Sequence, residues 1–305
     1  MSASYAKIRA MVQDRKALDA NAYALMLLLT ALWGFHQVTI KWIAGEVSLV
    51  MQAAIRSILA TLLLFAWARV RGIPLFGRDG TLLSGTGAGL LFAGEFVLIY
   101  AGLGYTNVSR MSVFIYLTPA LTALGLHFRV RGERLSALQW SGVLLAFAGL
   151  CIAFAEGFFS GRHTWVGDLC GLMAALLWAS TTVLIRSTRL SNATATKTLF
   201  YQLGVSALVL PLASLALGEP GVISLSATAI ASLAFQGVIV AFATYLVWFW
   251  LLTRYLAGRL SVLSFLTPMF GVLCGVVFLR EPLTGTFVVA ALLIGAGIVL
   301  VNLRR

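Results

Sequence analysis

Arg110-Met-Ser-Val-Phe-Ile-Tyr-Leu-Thr-Pro119 returns as Arg259-Leu-Ser-Val-Leu-Ser-Phe-Leu-Thr-Pro268, 149 residues further on and identical at six of ten positions. Other matches fall at nearly the same spacing and in the same order. Trp33 with Lys41 answers to Trp178 with Arg186, Glu133-Arg-Leu-Ser to Glu281-Pro-Leu-Thr, and Gly149 to Gly297. Shared apolar composition can imitate one such match, but not easily a series in order. The chain reads as two copies of one unit, residues 1–155 and 156–305, divided in the polar stretch Glu156–Trp165.

Composition says what each copy is made of. Of the 305 residues, 60% are hydrophobic and only 10% charged, whereas soluble domains are about half apolar and a quarter charged. A soluble fold of this size has no interior large enough to hide so much apolar surface. A helix needs about 20 apolar residues to cross roughly 30 Å of hydrocarbon. Ten such runs occur, near 22–41, 48–69, 81–103, 107–128, 137–155, 166–187, 197–217, 226–253, 258–279 and 284–303. The sequence therefore predicts an all-α integral membrane protein of ten transmembrane helices, five to a copy. Five is odd, so the second copy enters the bilayer in the opposite sense. That is an inverted repeat, which places a central cavity near the midplane and serves alternating access.

The net charge of +12 would point to nucleic acid in a soluble protein. Here the basic residues sit in short gaps between apolar runs. With a cytoplasmic N-terminus, seventeen Lys and Arg face inward and only Lys41, Arg110, Arg162 and Arg280 outward. Such a bias sets topology: both termini are expected in the cytoplasm, with the lipid bilayer and not nucleic acid as partner. The basic opening resembles a signal peptide, but the run after it is long enough to span and nine more follow, so it is read as the first span. Cys151, Cys170 and Cys274 lie in apolar runs, odd in number and without CxxC spacing, and are expected as buried free thiols.

Leu32-Trp33-Gly34 and Leu177-Trp178-Ala179 occupy the helices that open each half. Leu117-Thr118-Pro119 pairs with Leu266-Thr267-Pro268, and Gly132-Glu133-Arg134-Leu135 with Arg280-Glu281-Pro282-Leu283. On these motifs nearly the whole chain resembles the drug/metabolite transporter superfamily. The closer likeness is to its EamA-type branch, in particular to bacterial exporters of aromatic and other amino acids. The resemblance implies a cavity lined by helices 1, 3, 4, 6, 8 and 9, and a place in the bacterial inner membrane.

Ionisable groups within hydrocarbon are costly, so each is a functional candidate. Arg56 and Glu95 each lie about eight residues from the outer end of their helix, roughly 12 Å below the boundary. At equal depth they are placed to pair, as a clamp between helices or as substrate and coupling groups. Trp33, His36 and Gln37 share one face at i, i+3 and i+4, and their repeat partners are Trp178, Thr181 and Thr182. These faces are read as opposite walls of a cavity, with helix packing as the competing explanation. Tyr100, Tyr116, Tyr245 and Trp248 add ring surface for stacking or cation–π contact, while Trp250 suits the membrane interface. Gln52, Gln202 and Gln236 fit either the pathway or cross-bonds between helices. Pro119 and Pro268, each mid-helix, are expected to kink their helices as paired gating elements.

No HExxH, G-x-S-x-G or Walker A pattern is present, and His36 has no second ligand at metal spacing. The chain is expected to be neither enzyme nor metalloprotein and to need no cofactor. The sequence thus predicts a secondary transporter exporting amino acids, with the proton as candidate coupling ion. The alternatives are an exporter of drugs, nucleobases or sugars, or, from other classes, a membrane-embedded enzyme or receptor.

Overall fold

Each expected span has a helical counterpart in the computed structural model, which describes residues 16–77, 79–103, 105–106, 108–130, 133–159, 165–280 and 285–303. The helices are α1 (Ala20–Trp42), α2 (Leu49–Val70), α3 (Leu82–Leu103), α5 (Ala137–Ala153), α6 (Trp165–Ser187), α7 (Ala195–Ala216), α8 (Ala227–Arg254) and α10 (Gly285–Asn302). The other two are broken: α4a (Val108–Ile115) leads to α4b (Thr118–Arg129), and α9a (Ala257–Leu263) to α9b (Leu266–Leu279). Among the described residues nine spans are long and apolar enough to cross a membrane; α5 falls short by length and is followed by the short helix Ala155–Phe159. The protein is a multi-pass membrane protein. Among the described residues there are isolated β-bridges but no strand.

The helix starts follow local chemistry. Asp19 caps α1 by accepting from the Ala22 amide at 3.0 Å. Bonded also to Lys16 at 2.9 Å, its carboxyl is pulled down to about 2, with Lys16 the main cause. Ser136 and Gln139 form a capping box on α5, reciprocally satisfying amides the helix leaves open. The Glu219 carboxylate accepts from the Val50 and Met51 amides at the start of α2 and from the Ser48 and Ser214 hydroxyls.

Packing follows the sequence repeat. Helix α5 lies on α10, α2 on α7, α1 on α9b, and α6 on both pieces of α4. Exchanging the two halves maps each of these pairs onto itself or onto another. Links between loops are paired as well. On the face carrying Ala20 and Asn302, here the terminal face, the Lys197 ammonium bonds Asp79 at 2.7 Å and holds its carboxyl well below the usual range. On the distal face, Glu46 accepts from the Ser226 amide at 2.8 Å while Glu219 engages Ser48.

The tightest seam joins α5 and α10. A Cβ on Gly297 would stand 2.5 Å from the Gly142 carbonyl oxygen, and one on Gly142 would stand 2.7 Å from the Gly297 carbonyl oxygen. Further along, a Cβ on Gly149 would stand 2.9 Å from the Ala290 carbonyl oxygen. Small residues let the two backbones touch, which is how helices gain dispersion contact in lipid.

Two expectations need correction, and one feature was not expected. Helices 4 and 9 do not merely kink. Each stops and restarts, with Pro119 in the first turn of α4b and Pro268 two residues into α9b. Pro119 offers no N–H to the Ile115 carbonyl, and the Thr118 hydroxyl takes that oxygen instead at 2.6 Å. Helix 8 contains a ten-residue π-wound stretch, Phe235–Thr244, which no residue type there announces. The three cysteines are free but only half-buried.

Candidate functional site

The helix pairs enclose a cavity of about 270 Å³. Its walls contain all twelve residues singled out as a site: Trp33, His36, Gln37, Arg56, Glu95, Tyr100, Tyr116, Trp178, Thr181, Thr182, Tyr245 and Trp248. The faces of α1 and α6 both reach it, as the repeat spacing predicts. Pro119 and Pro268 are not in the wall, but Thr267 and Ser264 beside the α9 break are.

The aromatic wall is built by ring contacts. Trp33 meets Tyr245 edge-on at 6.1 Å and Trp248 at 5.9 Å. Its indole N–H donates to the Thr244 hydroxyl at 2.8 Å, so the π-wound stretch of α8 holds it in place. Tyr116 meets Trp178 at 6.5 Å and Phe92 meets Tyr245 at 6.1 Å. Edge-to-face geometry stabilises each pair beyond area burial alone. Trp250 lies outside this wall, 37% exposed, with the Arg254 guanidinium 4.7 Å above its ring.

The charged groups are arranged otherwise than equal depth suggests. Arg56 and Glu95 are 2% and 4% exposed, yet they form no ion pair within 4.0 Å among the described residues. Arg56 instead donates to His36 Nε2 at 3.4 Å and places its guanidinium 4.4 Å over the Phe96 ring. Arginine only donates, so the His36 Nε2 facing it is an acceptor. Glu95 Oε2 and Arg56 Nε have no hydrogen-bond partner. Leaving such buried atoms unpaired costs roughly 1–3 kcal/mol each, more for charged groups; a bound solute, water or a proton relieves it.

The three glutamines separate. Gln236 donates to Gln52 at 2.9 Å and to Ser232 at 3.2 Å, and Gln52 donates to the Val47 carbonyl. Those two are cross-bonds. Gln202 lines the cavity with neither end partnered. Helices 2 and 7, absent from the lining that family resemblance implies, thus contribute Arg56 and Gln202. Sequence reasoning also missed Phe92, Phe96 and Phe249, since a phenylalanine in a membrane helix carries no mark distinguishing wall from packing.

Toward the terminal face the cavity ends at Ile185 and Phe249. Immediately beyond, Arg186 forms an ion pair with Glu133, both side chains 1% exposed. Arg186 also donates to the Leu252 carbonyl at 3.2 Å. Glu133 accepts from the amides of Ala257 and Gly258 at 3.0 and 3.1 Å, at the start of α9a. The pair therefore binds α6, α8, α9a and the link between α4b and α5 into one closure. Its signal in the sequence was the repeated acid before the last helix of each half, and the repeated base at the end of the first.

The same scaffold is found in known proteins. The chain is 28% identical over 290 residues to the uncharacterized transporter YvbV of Bacillus subtilis (strain 168), covering 95% of this chain and 94% of that one. It is 28% identical over 286 residues to a probable amino-acid metabolite efflux pump of Salmonella typhimurium, covering 90% and 92%. A solved crystal structure at 21% identity superposes with a TM-score of 0.78 over 93% of this chain and 96% of that one, which shows the fold. The EamA-like transporter family model matches twice, over residues 20–155 and 165–303. With both halves matched and the helical scaffold shared, the chain belongs to the EamA-like transporter family.

Proposed function

We propose that this transporter exports amino acids, aromatic ones among them, across the bacterial inner membrane by alternating access between two inverted five-helix repeats. One observation carries the reading. A buried carboxylate and a buried guanidinium stand with unpartnered atoms in a cavity otherwise walled by indole, phenol and phenyl rings. Glu95 suits a substrate ammonium, Arg56 with His36 and Gln37 suits its carboxylate, and the rings of Trp33, Trp178, Tyr245 and Trp248 suit an aromatic side chain. Glu95 is also the candidate carrier of a coupling proton. The efflux-pump name of the Salmonella relative and the exchange-related helix pairs support the same reading. The breaks beside Pro119 and Pro268 supply hinges at matching places in the two halves.

Purified protein in proteoliposomes, given an amino-acid panel with and without a pH gradient, is expected to move phenylalanine, tyrosine and tryptophan. Glu95→Gln should lower that transport at least about ten-fold, the scale of one charge-assisted contact. Transport of drugs or nucleobases with no amino acid moved would replace this reading by the broader one. Orientation has its own check. Reporter fusions at Arg305 and near Arg162 should report opposite sides of the membrane, and one shared side would remove the inverted repeat.

A further inference from the structure

Among the neutral side chains of the cavity wall, the Gln202 amide and the Thr267 hydroxyl have unpartnered atoms. Gln202 is 0% exposed, it lines the cavity, and both its amide oxygen and its amide nitrogen lack partners. The cavity lining toward the terminal face also includes Ile185, Trp248 and Phe249. The Thr181 and Thr182 hydroxyls already bond carbonyls of their own helix, Leu177 and Trp178. Ser206, one turn along α7, is also unpartnered but is not part of the wall. The Gln202 amide thus offers the cavity a donor and an acceptor together.

Its position along the cavity follows from packing. A Cβ on Gly89 would stand 2.7 Å from both the Tyr201 carbonyl oxygen and Val205 Cβ, so Gln202 is level with Gly89 of α3. Glu95 lies six residues further along that helix, about 9 Å away at 1.5 Å per residue. Bond lengths place the hydroxyl of tyrosine roughly 6–7 Å from its α-carbon. With hydrogen bonds of about 2.9 Å at each end such a molecule spans roughly 12–13 Å, more than that axial rise, so it reaches from one group to the other when inclined to the helix axes.

We propose that Gln202 is a specificity-determining residue whose amide reads a polar atom at the far end of an aromatic side chain, a phenol hydroxyl or an indole N–H, while Glu95 and Arg56 hold the charged end. The inference rests on the amino-acid reading above and adds a preference within it. A site built to hydrogen-bond a hydroxyl disfavours the analogue that lacks one, because the buried amide is then left unpaired.

The test compares tyrosine with phenylalanine in proteoliposomes, for wild type and Gln202→Met, which keeps length and removes the hydrogen bonds. Wild type should take tyrosine at least about ten-fold more efficiently than phenylalanine. In the variant the ratio should fall toward one, with phenylalanine transport retained. Thermal unfolding of both proteins in detergent checks that the comparison is between folded molecules. A variant that unfolds is replaced by Gln202→Leu, read by the same ratio. A wild-type ratio near one, or a ratio unchanged by the substitution, would overturn the inference while leaving amino-acid export standing. Failure of wild type to move any of the three aromatic amino acids would overturn both.

Discussion

Gly297→Ala is expected to cost most of the correctly folded protein, whereas Gly295→Ala on the same helix should cost almost none. A Cβ on Gly297 would stand 2.5 Å from the Gly142 carbonyl oxygen and 2.6 Å from the Ala146 amide nitrogen, while one on Gly295 meets nothing within 4 Å. Both obstacles are backbone, which cannot rotate away as a side chain can, so α5 and α10 must separate along their length. Overpacking of this kind costs about 1–3 kcal/mol or more, and the lost contact is the main force joining helices in lipid. Folded yield by gel filtration and thermal unfolding in detergent should rank Gly297→Ala and Gly142→Ala far below the Gly295 control. Equal behaviour of all three would show that the seam is not close-packed.

Arg186→Met should be comparably damaging for an electrostatic reason. It takes from the Glu133 carboxylate, 1% exposed, the guanidinium that is paired with it. Removing one partner of a buried pair costs about 3–5 kcal/mol, whereas removing both charges can be nearly neutral. Combining Arg186→Met with Glu133→Gln should therefore recover stability relative to either single change, since no charge stays buried and the amide oxygen still accepts from one of the two N–H groups, Ala257 or Gly258. A double-mutant cycle on unfolding temperature measures the coupling. Additive losses would show that the two charges do not act together.

The ten spans were legible because hydrocarbon thickness fixes helix length and the ends are marked by Asp19, Ser48, Ser136, Thr194 and Ser226. That Arg56 and Glu95 reach one cavity was legible too, from the rise per residue. Azimuth was not. Whether two side chains at one depth meet depends on how each helix is rotated against its neighbours, and Arg56 is turned onto Phe96 and His36. The wall residues of α1 and α6 were found because repeat spacing carries azimuth information: the same i, i+3, i+4 face recurs in both halves. The π-wound stretch of α8 remained invisible, for its residues are ordinary helix and membrane types. It packs on α2, and its Thr244 hydroxyl accepts from the Trp33 indole N–H.

The closure beneath the cavity floor has a consequence for leakage. Pulling Arg186 from Glu133 while the region is dry would separate two opposite charges before water could replace their contact, which is costly at low dielectric. Once the gap is wide enough to wet, hydration stabilises both and opening proceeds downhill. A half-open, dry gap is therefore costlier than either a shut or a flooded one. A transporter sealed this way resists stray ion flow while at rest, and its barrier to leakage is set by the cost of one unwetted ion-pair separation.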